Sequence, residues 1–163
     1  MASELSHLAE EIVGLVGGTR EPWFPTLRQA LDGIDHMRAA QRPSNGLNSI
    51  WAVVNHISIW HELTLRQLRA EHLAQEEIDD SGWSLPAAGG PADWTRTQQE
   101  LVARNANFAE AVGALSPAAF EERWAPQGAP RWQLVYGLMN HTSHHTADIL
   151  IARRLLGIPR ADR

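Results

Sequence analysis

The 163-residue chain has no cysteine and no lysine. Without cysteine there can be no disulfide, thiolate metal site, iron–sulfur cluster or cysteine nucleophile, so a protein-bound metal must be held by His, Asp or Glu. Without lysine there is no Schiff-base residue, no lysine general base and no P-loop lysine, because all 14 basic residues are arginine. The formal charge of −5 leaves no broad positive field for a nucleic acid or an anionic membrane. Arg153-Arg154 more simply complement the end of a helix than form a nucleic-acid patch. Long apolar runs are missing too, and nothing approaches the ~18 residues of a membrane span. The opening MASELSHLAEEIVGLVGG carries an acidic pair inside its apolar stretch and no basic leading region, unlike a secretory signal. A cytoplasmic protein with no nucleic-acid or membrane partner is expected.

Strand periodicity and internal repeats are also absent, and what remains is helical. Leu5, Leu8, Ile12, Leu15 and Val16 recur at spacings of three and four before Gly17-Gly18, which predicts a first amphipathic helix with a glycine stop. A turn at Pro22-Trp23-Phe24-Pro25 leads to a shorter helical piece from Thr26 to Ile34. After the loop Pro43-Ser44-Asn45-Gly46, Asn48 or Ser49 can cap a second long helix running to about Gln75. Residues 76–91, dense in Gly, Pro and Asp, form a long loop. Trp94, Leu101, Phe108, Val112 and Leu115 mark a third long helix over about 92–115, with Ser116-Pro117 ending it. A short segment around Phe120 and Trp124 and a Gly/Pro loop follow. Pro130 opens a fourth long helix, closed by Arg153, Arg154, Gly157 and Pro159. The expectation is one all-α domain over 1–163: a four-helix bundle with a short extra segment after helix 1 and a long loop between helices 2 and 3.

The chemistry lies in Asn140-His141-Thr142-Ser143-His144-His145-Thr146-Ala147-Asp148. On a helix, His141 and His145 stand about 40° apart and one turn along, so both imidazoles can reach one ion. They share a stripe with Leu134, Leu138, Ala152 and Leu155, which predicts that they point inward. His56, set among Val53, Ile57 and Trp60, should also face the interior. Taken alone it reads more readily as a hydrogen-bonded core residue than as a ligand. An i,i+4 histidine pair on an apolar stripe is harder to treat so, because two buried neutral imidazoles need partners and a shared metal supplies both. Three inward imidazoles from two helices can hold one divalent ion and leave positions open. His144, about 100° from His145, flanks this stripe, and His7, His36, His61 and His72 read as structural or solvent-facing. Asp148, on the same general face, either orients an imidazole or is itself a fourth ligand.

These residues resemble the DinB-like (damage-inducible-like) four-helix-bundle metalloproteins, which include bacterial thiol-dependent S-transferases. The likeness runs from Ser49-Ile50-Trp51-Ala52-Val53-Val54-Asn55-His56, with Trp60 following, to His141-Thr142-Ser143-His144-His145 and the closing Ile149 to Gly157. It implies a divalent ion held by His56, His141 and His145, the triad that the spacing also offers. Family members often carry Gly-Gln where this chain has Ala147-Asp148, and a carboxylate only accepts where an amide can also donate.

The favoured expectation is a metal-dependent enzyme acting on a small-molecule substrate. The ion would be zinc, nickel or iron, since imidazole suits each. The resemblance implies S-transfer from a low-molecular-weight thiol cosubstrate, or else hydrolysis. No catalytic residue is identified; Asp148, Glu62 and His144 are the candidate general bases. The competing expectation is a non-enzymatic metal-binding or protein-interaction bundle. Seven Trp against three Phe and one Tyr suit a homodimer interface as well as a core.

Overall fold

The computed structural model describes residues 4–18, 23–43, 46–79, 83, 89–125 and 128–159. Parts of the expected loops, Pro22, Ser44-Asn45 and most of 80–88, lie outside the described residues. Among the described residues eight helices follow one another, four long and four of five residues each: α1 (Glu4–Gly17), α2 (Leu27–Leu31), α3 (His36–Ala40), α4 (Ile50–Leu68), α5 (Gln75–Asp79), α6 (Pro91–Gly113), α7 (Pro117–Glu121) and α8 (Arg131–Leu155). No strand occurs among the described residues; Arg123 and Pro130 make only an isolated bridge.

The local chemistry accounts for most of these boundaries. Thr26 Oγ1 accepts from the Gln29 N–H and Gln29 Oε1 from the Thr26 N–H, a reciprocal cap that starts α2. Asp32 and Gly33, the latter at φ 69°, then break the expected 26–34 segment, and a separate helix, α3, forms after the Asp35 cap. Ser49, not Asn48, caps α4. Pro91 occupies the first turn of α6, where its missing N–H is harmless.

Further expectations are corrected. The connection expected as a loop over 76–91 opens with a short helix, α5. α4 stops at Leu68, short of Gln75, because Ala70 adopts φ 60° and Glu71 N–H bonds back to Arg66 O at 2.9 Å. This is the closing motif that usually carries glycine. The inward stripe of α8 also drifts: Ala152 is buried as expected, but Leu155 is 46% exposed, while Ile149 and Arg153 turn inside. Arg153 is tolerated there because its guanidinium reaches Ala30 O at 2.9 Å and Asp32 O at 2.6 Å, tying α8 to the α2 region.

α4 packs between α6 and α8, and α1 closes the bundle against α6 and, more thinly, α8. Two apolar clusters fill it. One joins α2 and α3 to Ile50, Trp51, Val54, Ile57, Trp94, Leu101 and Ile149. The other joins Ile12, Leu65, Leu68, Phe108, Val112, Val135 and Leu138. Between them in sequence, on the three longest helices, lies a buried polar belt: His56, Ser58, His61, Asn105, Thr142, His145 and Thr146. Thr142 and Thr146 satisfy their hydroxyls on the carbonyls one turn back, Leu138 O and Thr142 O. The histidines need other partners.

Candidate metal centre

His56 on α4 and His141 and His145 on α8 meet in this belt, with one ring nitrogen from each lying within 4.8 Å of the others. His56 Nε2 and His141 Nε2 are 3.0 Å apart. Two imidazole nitrogens held at about 2.1 Å from one ion and at right angles are separated by about 3.0 Å, so the spacing suits a shared ion. Ring centroids of 5.0, 4.8 and 4.4 Å bring all three imidazoles into contact. His56 and His145 are buried and His141 half-buried.

Electrostatics keep His141 neutral. Burial, and then the neighbouring imidazoles His145 and His56, push His141 down to about 3. It is therefore a neutral imidazole, with one lone pair free to bind, at ordinary pH. The His141 Nδ1 and Trp60 Nε1 atoms are buried with no hydrogen-bond partner among the described residues. Each is a donor seeking an acceptor once Nε2 of His141 is committed to the cluster. His145 differs, since its Nδ1 lies 2.8 Å from Asp148 Oδ2.

The remaining candidates separate. His144 is exposed, its Nε2 3.7 Å from Asp148 Oδ2. Glu62 lies 3.9 Å from Arg104, itself bonded to Ser58, on the α6 side of α4; the structure does not bring it to the triad. His61 is structural, as expected, and fully enclosed. It bonds Ile57 O at 2.8 Å and the Asn105 side chain at 3.1 Å, and burial lowers its pKa.

Trp83 went unrecognised in the sequence. Its indole stacks on His56 with centroids 4.0 Å apart and planes 9° from parallel, and meets His145 edge-on at 5.5 Å. Being 45% exposed, it covers two of the three histidines on one side and faces water on the other. Trp83 stands in a Gly/Pro-rich connection with no periodicity, so nothing local could have pointed it at the site. Trp60, one turn after His56, was readable only as part of an apolar stripe. A cleft of about 1380 Å³ lies between α1, α6 and α8, bordered by Trp23, Phe24 and His144 and not by the triad.

The family model of the DinB superfamily matches residues 24–149, well over half of the chain. No curated protein matches the chain, and no solved structure does.

Proposed function

Since the chain belongs to the DinB superfamily, a metal-binding one, we propose that it is a divalent-metal-dependent enzyme whose ion is held by His56, His141 and His145. The substrate is a small molecule and the reaction thiol S-transfer or hydrolysis. One observation carries this reading: three imidazoles converge from two helices, with two of their Nε2 atoms 3.0 Å apart. Three protein donors form an incomplete shell, the arrangement of catalytic rather than structural sites. Zinc, nickel and iron all suit imidazole donors. When bound, the ion supplies Lewis acidity and makes a thiolate or hydroxide available at neutral pH, chemistry the chain cannot obtain from cysteine or lysine.

The chain's own residues prepare that site. His141 offers its lone pair because burial and its neighbours keep it unprotonated. Trp83 shields the outer side of His56 from water. The buried Trp60 Nε1–H and His141 Nδ1 can each donate to an acceptor atom of a ligand or an ordered water. Of the general-base candidates Glu62 falls away because it turns toward Arg104, which leaves His144 and Asp148 beside the triad.

The test is turnover. Protein loaded with zinc, nickel or iron is assayed for conjugation of an electrophile with a low-molecular-weight bacterial thiol, and for ester and amide hydrolysis. Metal-dependent turnover that is lost in His141→Ala is expected. A loaded protein inert in both screens contradicts the enzyme reading. That result would favour a non-enzymatic metal-binding bundle, a reading that draws support from the position of the large cleft away from the triad.

A further inference from the structure

We propose that Asp148 is the positioning residue of the centre: it fixes His145 in the Nδ1-protonated tautomer, so that the Nε2 lone pair faces His56 and His141, and is not itself a ligand. This rests on the reading of the three histidines as a metal centre.

Asp148 lies three residues after His145, and side chains on a helix lean toward its N-terminus, so the carboxylate folds back onto the imidazole. The distance from Oδ2 to Nδ1 is 2.8 Å. A carboxylate only accepts, so the shared proton sits on Nδ1, and a neutral ring protonated there keeps its lone pair on Nε2. His145 is buried, whereas the Asp148 side chain is one-third exposed. The carboxylate thus stands at the outer edge of the ring, with the triad at the inner edge.

The same contact argues against ligation by Asp148. The two ring nitrogens point away from each other, so a carboxylate held at Nδ1 cannot also reach an ion at Nε2 of the same ring. His144, His145 and Asp148 do form a second group within 4.8 Å. There, however, the His145 atom beside Asp148 is Nδ1, so an ion in that group would have to displace the 2.8 Å hydrogen bond. His144, at 3.7 Å from the same oxygen, is beyond hydrogen-bond distance and competes weakly for it. By contrast, His141 Nδ1 has no hydrogen-bond partner among the described residues. Orientation of His145 therefore depends on Asp148.

The experiment combines two readouts on wild type, Asp148→Ala and Asp148→Asn, each checked for an unchanged unfolding temperature. The first is the His145 tautomer in metal-free protein at pH 8, from long-range ¹⁵N–¹H correlation. The second is Zn²⁺ affinity by competition with a chromophoric chelator. Wild type is expected to be Nδ1-protonated, and Asp148→Ala to move toward the Nε2-protonated form with a 10–100-fold loss of Zn²⁺ affinity. Asp148→Asn, whose amide oxygen still accepts, should restore the tautomer and part of the affinity.

An Nε2-protonated His145 in wild type overturns the proposal, even if Asp148→Ala fails to fold. So does an Asp148→Ala protein with the wild-type tautomer, whether its Zn²⁺ affinity stays within twofold or falls; a fall would make Asp148 a ligand. A second Zn²⁺ equivalent abolished by Asp148→Ala overturns it as well. The tautomer readout needs no metal. A wild type that takes up no Zn²⁺ would refute the metal centre, while the tautomer still judges Asp148.

Discussion

Acidification should destabilise the metal-free protein through His141 by an amount that can be worked out. Its ring titrates near 6.5 in the unfolded chain and at about 3 in the fold. Above pH 6.5 both states leave it neutral and it contributes nothing to the pH dependence. Below 6.5 the unfolded state binds a proton that the folded state refuses, so stability falls with pH, by up to about 1.4 kcal/mol per pH unit, until about pH 3. Between pH 8 and pH 5 this comes to about 2 kcal/mol, or about 1–2 kcal/mol once water's screening of the half-buried ring is allowed for. His61, lowered chiefly by burial, acts in the same direction. The assay is urea unfolding of chelator-treated wild type and His141→Leu at pH 8 and pH 5. The wild type should lose about 1–2 kcal/mol more than the variant over that interval. Parallel losses in the two proteins would mean that His141 titrates alike in the folded and unfolded states, contrary to its burial.

Two further outcomes follow from buried polar contacts and from the indole beside the triad. Thr97→Val leaves the fully buried Trp51 Nε1–H without its 3.0 Å acceptor and should cost about 1–3 kcal/mol in urea unfolding; a cost below about 0.5 kcal/mol would mean that water replaces the hydroxyl. Trp83→Phe should remove a distinct part of the fluorescence quenching caused by Cu²⁺ addition, because the indole stacks at 4.0 Å on His56. Identical quenching in wild type and variant would place the ion away from His56.

The parts of the fold readable in the sequence are those set by local chemistry. The Ser49 cap, Pro91 in the first turn of α6 and the Pro130-to-Gly157 limits of α8 are each dictated by one or two residues. The end of α4 was not readable, because Ala70 takes a left-handed conformation that sequence ordinarily marks with glycine. Nor was the facing of the last turn of α8, where Arg153 is buried on its tertiary contacts and Leu155 is exposed.

The site divides in the same way. His141 and His145 are paired by helical spacing alone. His56 is 85 residues away from His141, and periodicity could turn it inward without saying which histidines it would meet. Trp83 reaches the triad through a connection without any pattern. The tryptophans as a group also resist a single reading: Trp51 and Trp94 are core, Trp60 and Trp83 flank the triad, and Trp23 is 98% exposed.

The most direct test of the metal centre is elemental analysis of tag-free protein purified without chelator, beside His56→Ala, His141→Ala and His145→Ala prepared identically. About one divalent ion per chain is expected in the wild type, and its loss in each variant. A wild type without metal, whose apo form takes up none on titration with zinc, nickel or iron, would contradict the metal centre and leave the three imidazoles as core residues.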